Sequence, residues 1–263
     1  MDEKIRLGGM ALVNGVLVHG PHSWACAIRG ADGELKVASR NKTFRAAEVQ
    51  NPILRGPARI AEVFALLPQV RRGLPEAKLP FQRPQVLAAM LGTAVVVRSI
   101  KESDRLTPFA RELAGGMLSL APAALALRGS DLAAYHGAEH ISIGSYEHGE
   151  RRAREHERCG SHLLGPLVAS TAVGMTLAQK APAHLRGPAR LTAQVGALAV
   201  STELFGWMTR NPENPLSRAM AWPGHELQHR LATAEPSEEQ LEVAEAALAA
   251  CLELEHAAAA RHG

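Results

Sequence analysis

Ser23-Trp24-Ala25-Cys26-Ala27-Ile28-Arg29 is followed, across Gly30-Ala31-Asp32-Gly33, by Glu34-Leu35-Lys36-Val37-Ala38-Ser39. Asp-Gly between two β-prone runs is a strong hairpin signal, because both central positions of the tight turn favour residues that tolerate positive φ. The same reading extends upstream. Ala11-Leu12-Val13 and Val16-Leu17-Val18 flank Asn14-Gly15, which predicts either another turn or a bulge within one long strand. Together these runs predict a small antiparallel sheet in a β-rich region over residues 1–50.

From about residue 52 the apolar spacing changes. Ile60, Val63, Phe64 and Leu67 recur at three and four residues, predicting a helix over 59–72 that Pro68 ends or kinks. Further helices are expected at 84–103, 108–127, 131–147, 162–180 and 188–208. Pro212, Pro215, Pro223 and Pro236 are expected to break up the next stretch. A last helix over 237–256 opens on Ser237-Glu238-Glu239-Gln240, a capping box, and the chain at 257–260 is expected to fray. The expected fold is therefore mainly α with a small antiparallel β region at the N-terminus (α+β). Residues 51–263 form a helical bundle around a central metal-site helix, continuous with the sheet as one domain.

Composition narrows the function classes. Hydrophobic residues make up 46% and charged residues 21%, which excludes wholesale disorder; aromatics are only 4%, which favours closely packed Ala, Leu and Val. A net charge of +3, with 29 basic and 26 acidic residues interspersed, argues against a nucleic-acid partner, which needs a basic stripe. Cys26, Cys159 and Cys251 are too far apart to read as a disulfide framework, so a reducing cytoplasm is the expected compartment. Residues 1–4 show no secretory leader pattern. The apolar runs 86–97, 113–127 and 163–178 fall short of a bilayer-spanning helix, and Glu203 interrupts the run 193–208. A soluble or membrane-peripheral chain is expected, with homo-oligomerisation left open.

Histidine is the compositional outlier, and seven of the 12 fall in two clusters. The first opens with Tyr135-His136-Gly137-Ala138-Glu139-His140. At i and i+4 on a helix, His136 and His140 project from one face and can hold one metal ion. His-x-x-Glu-His is also the inverted zincin order, in which the carboxylate works on a metal-bound water. His156-Glu157-Arg158-Cys159 follows and can add a third and fourth ligand. Imidazole plus thiolate suits Zn²⁺ better than Mg²⁺ or Ca²⁺, although other divalent transition metals share the preference. Against this stands a plain alternative. Paired helical histidines can cap or pack, and a single buried cysteine packs as a small apolar group. Glu150 four before Arg154, and Glu147 four before Arg151, predict a solvated, salt-bridged helix surface with His148 exposed.

The second cluster, His225-Glu226-Leu227-Gln228-His229, fits the zincin expression. Pro223-Gly224 just before it predicts only a helix start, and Glu242 and Glu245 are the available third ligands. A polar helix start is the preferred reading.

Several segments resemble the YqhQ-like family of bacteria and plastids, described as predicted metal-dependent enzymes. The family's Gly-Gly-Gln-Ala-Val-x-Glu-Gly-Val-Met-Met-Arg is similar to the run from Gly8 to His19, and its Arg-Gly after a proline to Pro52, Arg55 and Gly56. Its Tyr-His-Gly-Ala-Glu-His-Lys matches Tyr135 to His140, and its His-Pro-Arg-Cys-Gly-Thr-Ser resembles the run from His156 to Ser161. Pro223-Gly224, Leu227-Gln228, Glu235-Pro236 and Gln240 to Ala244 echo its C-terminal pattern. The resemblance implies metal binding by His136, His140, His156 and Cys159. It departs where the family's Gln, Glu and Arg become Met10, Asn14 and His19, and where a Lys becomes Ile141. These departures imply a different substrate or none. The family's membrane-like second half is shortened here, implying a soluble or peripheral relative.

The expectation is a zinc-dependent enzyme, hydrolase-like, with Glu139 or Glu147 as general base acting on a small-molecule substrate. The alternatives are a non-catalytic structural zinc scaffold, a membrane-associated assembly factor, and a metal chaperone or sensor. Ligand count separates the first two, since catalytic zinc keeps three protein ligands and structural zinc is closed by four.

Overall fold

The computed structural model describes residues 4–261; the rest of the leader reading, at residues 1–3, lies outside them. Strands β1 (Gly8–Leu12), β2 (Gly15–His19), β3 (Ser23–Arg29) and β4 (Leu35–Asn41) form one antiparallel meander in the order β1-β2-β3-β4. Leu12 pairs with Gly15, so Val13-Asn14 is a tight turn between two strands and not a bulge in one. The Asn14 amide reinforces it, donating to the Arg29 and Glu76 carbonyls while its oxygen accepts from the Lys78 N–H. The β3–β4 hairpin turns at Gly33, whose φ of 81° is the left-handed value the Asp-Gly pair foretold.

Strands alternate their side chains, and here both faces are buried. One face carries Ala11, Val16, Val18, Ala25 and Ala27 against Leu132, Tyr135 and Ala138 of α5 (Asp131–His148) and Val243, Ala244, Ala247 and Cys251 of α9 (Glu238–Ala259). The other carries Leu12, Leu17, Trp24, Cys26 and Ile28 against Leu66, Leu67 and Val70 of α1 (Pro52–Gly73). The protein is mainly α with a small N-terminal sheet, and sheet and helices share one core.

Proline starts several of the helices instead of breaking them. It lacks an N–H that the first turn leaves unpaired anyway. Pro52, Pro108 and Pro215 each follow a capping residue (Asn51, Thr107 and Asn214) whose side chain accepts from the first turn. The helices are α2 (Pro84–Glu102), α3 (Pro108–Leu118), α4 (Ala121–Leu127), α6 (Ser161–Ala178), α7 (Arg186–Arg210) and α8 (Pro215–Leu227).

Five expectations are corrected. The helix expected at 108–127 is two, because Pro122 cannot donate to the preceding turn and its ring excludes a carbonyl there. Pro68 does not end α1, which runs to Gly73. Pro215 opens α8 and Pro223 lies inside it, so that part of the stretch is a helix followed by a π-helical turn at Gln228–Ala232, while Pro212 and Pro236 lie outside helices. Residues 257–260 do not fray from 257, since α9 continues to Ala259 and seats Ala258 in the interior. The charged surface after Glu147 is not a helix. Gly149 at φ 76° ends α5, and Arg152 and Arg154 pair instead with Glu150, Glu157 and Glu155.

Glu255 of α9 clamps the turn between β2 and β3. It accepts from His22 N (2.9 Å), Ser23 N (2.7 Å) and Ser23 Oγ (2.7 Å), with His22 Nδ1 at 3.1 Å. Burial alone would raise its pKa, but these hydrogen bonds together hold it below the usual carboxylate value. A carboxylate depressed in the folded state stabilises above its unfolded pKa, and that contribution is lost as pH falls through the folded value. Replacing Glu255 by Gln should therefore cost about 1–3 kcal/mol in urea unfolding at neutral pH. The gap to wild type should narrow as pH falls below the ordinary carboxylate range; an unchanged gap would contradict this account.

Candidate metal centre

Helix α5 presents His136 and His140 one turn apart, with ring centroids 4.3 Å from each other. Each ring is held through Nδ1. His136 Nδ1 lies 2.8 Å from the Ala232 carbonyl and His140 Nδ1 lies 2.6 Å from the Arg154 carbonyl. A carbonyl only accepts, so both Nδ1 atoms carry the proton and both Nε2 atoms are lone-pair donors. Gly137 makes the first contact feasible, because a Cβ there would stand 2.2 Å from the Ala234 carbonyl oxygen.

Cys159 arrives from the connection before α6, and its Sγ lies 3.6 Å from His136 Nε2. The donor atoms of His136, His140 and Cys159 all lie within 4.8 Å of one another. It is the one such group of three among the described residues. A tetrahedral zinc ion with Zn–N near 2.0–2.1 Å and Zn–S near 2.3 Å needs donors about 3.3–3.6 Å apart. The donor set fits zinc in spacing and chemistry after a small contraction.

Electrostatics are consistent with a site that charges only when filled. Burial first, then His136, pushes the His140 pKa well below its ordinary value, keeping the imidazole neutral as a ligand must be. Burial pushes the Cys159 thiol up to about 11, so a metal would displace its proton. Burial also raises the pKa of Glu139, with His136 and His156 opposing. Its Oε2 is 3.9 Å from His136 Nε2. The backbone of β1 lies against this carboxylate so closely that a Cβ on Gly9 would meet its oxygen at 2.2 Å.

The structure does not bring His156 into that group. Its ring centroid is 5.5 Å from that of His140, and its Nε2 sits 3.1 Å from Glu147 Oε2. Glu147 also pairs with Arg158 and lies outside the cavity that His136, Glu139, His140 and Cys159 line. His148 is exposed, as expected. His162 is tied to the Glu157 carbonyl and Gln228. The second cluster does not assemble: His225 is exposed, His229 pairs with Glu155, Glu226 with Arg230, and Glu242 with Arg29.

Gln228 is a residue the histidine pattern passed over. Buried beneath the connection, its Oε1 accepts from His156 N, and its amide donates to the His156 carbonyl and Ser161 Oγ. It thereby fixes both ends of the segment that delivers Cys159. The Leu227-Gln228 pair within the resemblance was its one sequence signal.

The chain matches, over residues 130–254, the family model described as "Protein of unknown function (DUF1385)". That span runs from the start of α5 into α9 and contains the whole histidine–cysteine group. The chain is also 28% identical over 290 residues to "Uncharacterized protein YqhQ" of Bacillus subtilis (strain 168), covering 90% of this chain and 89% of that protein. Both matches make the chain similar to the YqhQ-like family, as a divergent relative. No solved structure matches.

Proposed function

We propose that this chain is a zinc-dependent enzyme of hydrolase type, with His136, His140 and Cys159 as metal ligands and Glu139 as general base. The observation that carries it is the ligand count: three donors converge, while His156 is engaged by Glu147. Three protein ligands with an open position is the catalytic pattern of zinc, and four would be the structural one. Bound there, zinc would supply a Lewis acid and lower the pKa of a water at the open position.

The chain's own residues supply the rest. The carbonyls of Ala232 and Arg154 orient both imidazoles. Glu139, buried beside His136 with a raised pKa, takes the proton from the attacking water and returns it to the leaving group. Glu147, paired with His156 and Arg158, supports the connection from behind. The substrate occupies the cavity of about 480 Å³ that these residues share with β1, α1 and α4.

A second, compatible reading concerns location. Among the described residues one helix, Ser161–Ala178, is long and apolar enough to cross a membrane, yet only 28% of it is buried. Leu91, Val95, Met117, Leu177, Leu191 and Trp222 add exposed apolar side chains on α2, α3, α6, α7 and α8. So much uncovered apolar surface favours peripheral contact with a lipid surface.

Metal analysis tests the first reading. The wild type should carry about one zinc per chain and His140→Ala little, while Glu139→Gln should keep zinc and lose about 10²–10⁴-fold in hydrolysis across an ester and amide panel. Equal zinc in wild type and His140→Ala would overturn the centre. Joint loss of zinc and fold would overturn the catalytic reading in favour of a structural clip. For the second reading, the protein should sediment with phosphatidylglycerol vesicles, and Leu91→Glu with Leu191→Glu should release it. A chain that stays in the supernatant contradicts membrane contact, and a second copy covering the surface would show as a dimer in sedimentation velocity.

A further inference from the structure

Behind His19, on another wall of the same cavity, lies a buried polar group outside the histidine–cysteine cluster. Lys42, at the end of β4, is almost completely enclosed, with its side chain 1% exposed. Its Nζ is 2.8 Å from Glu62 Oε2 and 3.0 Å from His19 Nδ1. Glu62, from α1, also accepts from the Ala46 N–H at 2.8 Å. An ammonium only donates, so His19 Nδ1 accepts and the ring proton resides on Nε2. That atom lies over Gly8, where a Cβ would stand 2.7 Å from it, and His19 lines the cavity. Among the described residues the side-chain hydrogen bond of the ring is made at Nδ1, and the Gly20 backbone lies near the ring.

Burial, and next the Lys42 charge, pull the His19 pKa down to about 4 against the pull of Glu62, Glu255 and the Gly20 carbonyl. The ring is therefore neutral near pH 7 and its Nε2–H is a fixed donor. A buried lysine–glutamate pair is an expensive way to hold a strand to a helix, because desolvation offsets much of the attraction. It is effective for fixing the tautomer and direction of a histidine at a cavity wall.

We infer that His19 Nε2–H is a ligand-binding donor, aimed at the oxygen of an acyl group whose apolar body fills the cavity, with Lys42 and Glu62 as its positioning residues. A neutral donor suits a carbonyl oxygen, since no charge is then buried, and it can also donate to the product carboxylate. Met10, Ala11, Val63, Ala126, Leu132 and Ile143 line the same space and suit a short hydrocarbon chain. The inference deepens the hydrolase reading and rests on it for the acyl class. The donor geometry itself stands without metal.

Two measurements on the full chain test it. Imidazole ¹⁵N spectra should show His19 as the neutral Nε2–H tautomer from about pH 5 to pH 8, in metal-free and zinc-loaded protein alike. An Nδ1–H tautomer, or a protonated ring in that range, overturns the inference. Calorimetric titration with hexanoate should then give binding to wild type that weakens about tenfold or more in His19→Leu and returns to within about threefold in His19→Gln, which keeps a donor. Zinc content should be the same in all three. Hexanoate binding unchanged in His19→Leu, or absent from wild type, overturns the inference. Failure of the wild type to hold zinc would instead sink the hydrolase reading, while the metal-free spectra and titrations still decide the role of His19.

Discussion

Two carbonyls fix the centre. Those of Ala232 and Arg154 accept from His136 and His140 on α5, and neither belongs to that helix. One comes from the π-helical turn after α8, the other from the irregular connection after Gly149. The α5 register would matter little if those segments were free to move. They are not. Gly137 admits the backbone at Ala234, the Ala234 N–H donates to the Ala133 carbonyl, and Gln228 pins the connection on both sides of Cys159. The turn after α8 and the connection after α5 thus meet at one face of α5.

The sheet plays the complementary part. Its two buried faces anchor α5 and α9 on one side and α1 on the other, and its edge strand closes the cavity. Gly8 and Gly9 are successive residues of that edge, and they yield space in opposite directions, one to His19 and the other to Glu139. Alternation along a strand accounts for this, since neighbouring residues face opposite sides. The buried Glu139 carboxylate and the lysine-backed histidine thus meet one cavity from the two faces of a single strand.

Much of this could be read in the sequence, and the limits are physical. The sheet was legible because Asp32-Gly33 and Asn14-Gly15 are turn chemistry between alternating runs. The α5 pair was legible because i and i+4 share a helix face. Cys159 was legible as a candidate donor by chemistry, but His156 was grouped with it at helical spacing, and residues 151–159 are not helical. His225 and His229 matched a zincin expression that says nothing of third partners, and the fold sends them towards solvent and Glu155. Gln228, Lys42 and Glu62 act over long sequence separations, where periodicity carries no signal. Prolines misled most, because the same residue breaks a helix interior and starts a first turn.

X-ray absorption at the zinc edge of purified, full-length protein loaded with one equivalent of metal tests the central claim most directly. The account predicts two imidazole nitrogens near 2.0–2.1 Å, one sulfur near 2.3 Å and one further light atom that exchanges with solvent. A shell without sulfur, or one closed by three imidazoles and a thiolate with no exchangeable position, would contradict it.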